Sequence, residues 1–485
     1  MKSDHRTCIL YKVALTISPY IKKSIREFHS IRGLTFLMIP EGISQERSTK
    51  QKIKIILALA VPAMIENILQ TVVGFVDTLF VSKLGLNEVT AVGVANAVLA
   101  VYIAIFMAVG VGATSLIARH VGAGNIDQAK AVAKQSTILS FFIGLFFGLI
   151  TLFFTEPLLR IMGAEPSVLV DASVYFRIVA VPSVFISLMF IFGSILRAAG
   201  DTKTPMKVSW WINIIHIGLG YFFIFGLLGF HGLGLAGAAW ATVIVRVLGA
   251  IALYYYIQKS SISFSLFQKS SLDIKKFTLP ILRLSAPAAI ERLIMRLGQV
   301  LYFGLIVRIG TETYAAHTIA GNIETFSYML GYGLAAAAST LVGQHIGAKL
   351  EKEAYTYGML TTYIAMLFMS IIGVLLFFLS PWLATWFTTD KQAIEMVTTA
   401  LRIDAFAQPA LAMGLVLTGA LQGAGDTKSP MYSTAVGMWV IRIVGVYVLG
   451  IQLNLGIAGV WLSIVIDQVI RALILWWRFK KQIKH

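Results

Sequence analysis

From residue 53 to residue 479, apolar stretches of about twenty to thirty residues alternate with short polar breaks. About twenty apolar residues, rising 1.5 Å each, cross a bilayer as a helix. The pattern predicts twelve such spans: 53–80, 89–118, 130–155, 169–197, 204–228, 235–258, 277–307, 313–343, 353–379, 393–422, 429–451 and 457–479. The expected fold class is an all-α polytopic membrane protein.

Two acids break the apolar pattern of the first span, Glu66 and Asp77. An ionised Asp at the centre of a membrane helix costs about 2.5–3.5 kcal/mol on the insertion scale. Such residues face a bundle interior or a wet cavity and mark function by default. The two acids are eleven residues apart, close to three whole turns, so they share a face. Gln70 and Gly74 fill the turns between them. The stripe suits the wall of a small-ion pathway. Asp77 has no basic residue within a turn on its own face, so a functional role is expected for it. Glu66 is open between an ion-pathway role and a packing contact, and so is Glu291 of the seventh span. His216 in the fifth span and Asn96 in the second are further candidates, with the packing role the blander reading for the histidine.

The chain repeats itself. Pro62-Ala63 with Glu66 recurs as Pro287-Ala288 with Glu291, 225 residues later. At the same offset His120–Ala123 recurs as His345–Ala348, and Ala199–Met206 as Ala424–Met431. A fourth match, the GLAG ending at Gly237 and the GIAG ending at Gly459, has an offset of 222. Six spans per copy is an even number, so both copies enter the membrane with the same polarity. Two parallel six-helix repeats follow, an N-lobe over 53–258 and a C-lobe over 277–479, with substrate expected between or within them.

Charge orients the chain. Of its 485 residues 57% are hydrophobic and 13% charged, with mean hydropathy +0.80 and net charge +17. In a soluble chain that charge would suggest nucleic acid. Here seventeen Lys and Arg gather at one set of loop ends and at the C-terminus, against four on the opposite side. The positive-inside rule then makes both termini cytoplasmic, and no nucleic-acid partner is expected. Residues 1–52 read as a basic cytoplasmic tail without a cleavable signal, 259–276 as a cytoplasmic linker and 480–485 as a short tail. Cys8 is the single cysteine, so no disulfide framework or thiolate metal site is expected.

Several motifs have a plain structural reading. AGDTKTP lacks the spacing of a phosphate-binding loop, and no strand precedes it. Gly200 and Gly425 are expected to end helices, and Thr204-Pro205 and Ser429-Pro430 to serve as N-cap and first residue of the next. Gly423–Asp426 matches the GxGD of intramembrane aspartyl proteases, but that chemistry needs a second membrane Asp nearby. Neither H-E-x-x-H nor G-x-S-x-G occurs, so an enzyme is not expected and no catalytic residue is named. Arg402 with Asp404, and Asp467 with Arg471, are expected to be ion pairs; Glu324 and Arg442 are further membrane charges.

PAMIENILQTVVGFVDTLFVSKLG over 62–85, the duplicated AGDTK-x-P connection and WVIRIVGVYVLG over 439–450 resemble the multidrug and toxic compound extrusion (MATE) transporters. The resemblance spans about residues 53–479. It implies alternating access between two lobes in the cell membrane and secondary active efflux of small amphiphilic or cationic substrates by antiport against Na⁺ or H⁺. It implies a monomer among membrane lipid, no cofactor beyond the transported ion, and no metal other than Na⁺ at Asp77. The family's coupling acid in the F-V-D-T context carries over to Asp77, with Glu66, Gln70 and Asn96 nearby. One branch adds an Asn and an Asp before F-I-F-G; the corresponding positions, ahead of Phe223–Gly226, are His216 and Gly220, so that relay is incomplete. Another branch adds a Glu and an Asp where this chain has Met295 and Leu411. Glu291 is then the substitute expected in the second half. The alternative function is a lipid-linked oligosaccharide or lipid flippase of the same wider superfamily, which asks for further helices and a cationic central cavity. Arg292, Arg296 and Arg308 supply part of the latter.

Overall fold

The computed structural model describes residues 47–226, 231–266 and 273–483. The expected basic tail therefore lies outside the described residues up to residue 46, and so do 267–272 of the expected linker and 484–485 of the C-terminal tail. Among the described residues there is helix and no strand. The helices are α1 Thr49–Ser82, α2 Leu86–Gly122, α3 Ile126–Ile161, α4 Pro166–Ala180, α5 Ser183–Ala198, α6 Lys203–Phe225 and α7 Gly234–Gln258. The second half follows with α8 Leu279–Ile309, α9 Thr311–Gly347, α10 Glu351–Ala384, α11 Lys391–Gly423, α12 Lys428–Gln452 and α13 Gly456–Ile483.

Nine of these helices are long and apolar enough to cross a membrane alone. α4 and α5 meet at 48° and make one further, bent span. Val181 and Pro182 lie at the bend, and α3 accommodates it: Gly144 and Gly148 sit against the backbones of Val184 and Val181, where a side chain would collide. α8 and α9 are as long but too polar to pass the same test. α8 packs on α2 of the other half, and α9 on both α1 and α2. With these two the protein is a multi-pass membrane protein of twelve spans in two repeats.

Each half has its own apolar core. One cluster in the first half holds Tyr102, Phe106 and Phe176, and one in the second holds Tyr302, Ile323 and Trp461. α1 starts at Ser48, whose side chain accepts from the Gln51 backbone while the Gln51 side chain caps Ser48 in return.

The AGDTK connections differ in detail from expectation. The helices begin at Lys203 and Lys428, so Pro205 and Pro430 are third residues rather than first. The capping side chain is the aspartate. Asp201 accepts from Thr204 N at 2.9 Å and Thr204 Oγ1 at 2.5 Å, and Asp426 from Ser429 N at 2.9 Å and Ser429 Oγ at 2.6 Å. Its longer reach lets it cap from one residue earlier. Gly200 and Gly425 end the preceding helices at φ 92° and 79°, the left-handed geometry that favours glycine. Asp426 is thus occupied as a cap and also pairs with Arg478 at 3.1 Å.

The two halves are tied together at the end that carries these turns, the basic end. The last carbonyls of a helix lack partners within it. Here each half supplies them to the other. Ser115 of α2 donates to Gly423 O at 3.3 Å, and Arg119 of α2 donates to Ala424 O, both at the end of α11. Thr340 and Gln344 of α9 donate to Arg197 O and Ala198 O at the end of α5, each at 3.1 Å. Ser115 and Thr340 are 225 residues apart, and so are Arg119 and Gln344. The repeated His-x-Gly-Ala motif explains the close approach: Gly122 abuts the Gln344 backbone and Gly347 the Arg119 backbone. Lys52 adds an ion pair to Glu353 at 2.7 Å, joining the start of α1 to α10.

Candidate functional site

Asp77 lies in the last two turns of α1, on the face that α1 turns toward α6 of its own half. Its carboxylate is 40% exposed, and Oδ2 is 3.8 Å from His216 Nε2 on α6. His216 is buried. Thr242 of α7 donates its own proton to Ala238 O at 2.9 Å and sits 3.3 Å from His216 Nε2. His216 Nε2 thus has both Thr242 Oγ1 and Asp77 Oδ2 within 4 Å. Arg246, one turn further along α7, lies within electrostatic reach of Asp77 and of Tyr175 on α4. Its Nη1 is buried without a hydrogen-bond partner among the described residues. Asn213 Nδ2, one turn before His216, is in the same state.

The structure brings Asp77 and His216 together and holds the other sequence candidates apart from them. Glu66 is buried and paired with Arg197 of α5 at 3.2 Å. Its repeat partner Glu291 accepts from Gln422 of α11 and Thr434 of α12, each at 3.3 Å. Arg197 and Gln422 are also 225 residues apart, so the two glutamates make the same bracing contact in the two halves. Gln70 and Asn96 are exposed. A side chain at Gly74, between Gln70 and Asp77, would meet nothing within 4 Å, so that stretch of α1 borders open space.

Arg246 and Tyr175 were not among the sequence candidates. The available signal was an arginine in the interior of the sixth apolar span. Sequence spacing along α1 excludes a basic partner only on α1 itself; the partner here comes from α7.

The second half carries a larger charged cluster. Asp467 of α13 is fully buried and accepts from Arg442 Nε at 2.8 Å and from Arg471 Nη2 at 3.0 Å. Asp404 of α11 is fully buried, accepts from Gln408 at 2.6 Å, and lies against Glu324 of α9. Three carboxyls face two guanidiniums there. The expected Arg402–Asp404 pair does not form. The two residues are two positions apart, so a helix turns them to different faces, and Arg402 instead donates to Phe377 O at 3.4 Å and covers the Phe377 ring. Arg442 stands in a wide-turned stretch of α12, Val436–Arg442, where Gly437 leaves room for Asp467 and Arg471. Among the described residues no group of three His, Cys, Asp or Glu has the arrangement of a metal site.

A family model, MatE, matches the chain twice, over residues 62–222 and 287–448. The probable multidrug resistance protein NorM of Thermotoga maritima is 32% identical over 430 residues, which cover 86% of this chain and 90% of the relative. The uncharacterized transporter YisQ of Bacillus subtilis is 31% identical over 429 residues, 88% of this chain and 94% of the relative. A crystal structure described as the outward-facing conformation of a multidrug resistance MATE family transporter superposes with a TM-score of 0.83 at 26% identity, over 90% of this chain and 99% of that one.

Proposed function

The chain belongs to the MatE family, and we propose that it is a secondary active transporter that exports small amphiphilic compounds from the cell in exchange for inward-moving protons. The basic end is the cytoplasmic end, both termini are cytoplasmic, and the membrane is the cell membrane. The reciprocal bonds from α2 to α11 and from α9 to α5 close the cytoplasmic side in this conformation. Export then requires them to break so that substrate can enter, and to re-form after release.

Asp77 is the coupling residue, and its surroundings carry the reading. A hard cation asks for several oxygen ligands. Around Asp77 stand an imidazole and a guanidinium instead. A proton needs the carboxylate alone. Taking it up removes the Asp77 charge and frees Arg246 and His216 from it, which shifts the balance between two arrangements of the first half. Inward transfer of one charge down 100 mV supplies about 2.3 kcal/mol to drive export.

The test is dye efflux from proteoliposomes under an imposed pH or Na⁺ gradient, wild type beside Asp77→Asn. Efflux driven by the pH gradient and lost in the variant is expected. Efflux that follows the Na⁺ gradient would overturn the choice of ion, and efflux indifferent to the substitution would overturn the site.

A further inference from the structure

The composition of α8 departs from the apolar pattern at its centre. Arg292 lies thirteen residues from Leu279, and Arg296 thirteen residues from Ile309. At 1.5 Å per residue each is about 20 Å from the nearer helix end, at the depth where a guanidinium against lipid is most unfavourable. The two must therefore face protein or water. The packing says which. Ile281 and Ser285 of α8 lie against Gly112 of α2, and Arg292 Nη1 reaches Met107 of α2 at 3.8 Å. These positions follow one helical stripe, so the stripe that meets the first half carries Arg292 and, a turn further from the basic end, Arg296. Arg296 is exposed, and its Nη1 donates to Gln299 Oε1 of its own helix at 3.2 Å.

No ion pair holds them among the described residues. Glu291, next in sequence, lies within electrostatic reach of Arg292 but is buried and hydrogen-bonded by Gln422 and Thr434 instead of forming an ion pair with it. Glu66 is taken by Arg197, and Asp77 faces His216. Arginine does not give up its proton in a protein, so two positive charges remain on the wall between the halves. Guanidinium forks bind planar or tetrahedral oxyanions through paired N–H bonds. We propose that Arg292 and Arg296 form an anion-recognition site for the transported compound, which carries a carboxylate, phosphate or sulfonate beside its apolar part. This rests on reading the protein as an exporter of amphiphiles and narrows the class.

The oxyanion has two sources, a soluble amphiphile or the headgroup of an anionic lipid, and one binding experiment separates them. Purified full-length protein in phosphatidylcholine nanodiscs is titrated with carboxyfluorescein, an anion, and with ethidium, a cation, reading fluorescence anisotropy without any gradient. Carboxyfluorescein is expected to bind. Arg296→Gln, at an exposed position where folding is not at stake, should weaken it about tenfold, and the double variant with Arg292→Gln about a hundredfold, with ethidium not weakened. Lysine at both positions should restore part of the loss. If phosphatidylglycerol in the disc weakens dye binding to wild type but not to Arg296→Gln, the lipid headgroup is the occupant; if it changes nothing, the soluble anion is. Failure of wild type to bind carboxyfluorescein in neutral discs, equal affinity in wild type and Arg296→Gln, or parallel loss of both dyes would overturn the proposal. Absence of gradient-driven efflux alongside intact anion selectivity would remove the antiport reading and leave this one standing.

Discussion

Asp77 of α1 and Tyr302 of α8 are equivalent positions in the two repeats, 225 residues apart. Around Asp77 are His216 of α6 and Arg246 of α7, and the carboxylate is 40% exposed. Around Tyr302 is Arg442 of α12, its guanidinium 5.7 Å from the ring centre, held in turn by Asp467 of α13 with no exposure at all. The same three helices of the repeat thus meet in both halves with opposite outcomes. In the first, the acid is on the helix that borders open space, and its partners leave one side of it to solvent. In the second, an aromatic ring takes that place and the acid retreats behind it into a closed ion-pair cluster. A carboxylate that water reaches can exchange a proton with the medium. One locked between two guanidiniums fixes helices relative to each other. We read the first half as the moving, titrating part and the second as the braced part.

That contrast can be broken in four ways. The largest effect is expected from Asp467→Ala, which leaves Arg442 and Arg471 buried without a counter-charge. A loss of about 3–5 kcal/mol of stability should appear as a collapsed thermal unfolding midpoint in detergent. Asp77→Asn should do the reverse, leaving the midpoint within about 2 °C of wild type while lowering pH-driven efflux by at least about a hundredfold, some 2.7 kcal/mol in the rate. A result with the two variants exchanged would invert the assignment of the halves. Next comes the basic end. Ser115→Ala combined with Gln344→Ala removes one bond from each direction of the reciprocal contact. About 1 kcal/mol each should open that end roughly thirtyfold more often, read as a longer distance between spin labels at Asn125 and Glu351 in pulsed electron resonance. The smallest effect is at the duplicated turns. Asp201→Ala should destabilise by about 1 kcal/mol through the lost cap. Asp426→Ala should do somewhat more, because Asp426 also pairs with Arg478 while Asp201 forms no ion pair among the described residues. Equal effects would mean that the Arg478 contact contributes nothing.

Particular residues show why some features were legible beforehand. The repeat was visible at Pro62 and Pro287, at His120 and His345 and at Asp201 and Asp426, because packing glycines and turn chemistry demand particular residue types at fixed spacing. The capping role was misplaced by three residues, from Asp201 to Thr204, because either side chain satisfies the local rule and only the observed hydrogen bonds decide between them. Glu66 and Asp77 looked alike along α1, on one face at matching turns, yet one is a brace and the other borders open space. Their partners, Arg197, His216 and Arg246, sit on helices more than a hundred residues away.

The order of apolar and polar positions by itself determined the class of this protein: a membrane chain of twelve helical spans, duplicated, with a basic end. Lipid leaves the backbone few alternatives to helix, so span and repeat follow from composition and spacing. The fate of each membrane charge was settled by tertiary structure alone. Arg402 and Asp404 are neighbours in sequence and separate in space, Asp77 and Arg246 the opposite. In a low-dielectric interior a charge is governed by what stands within a few ångströms of it, and in a bundle those neighbours come from other helices.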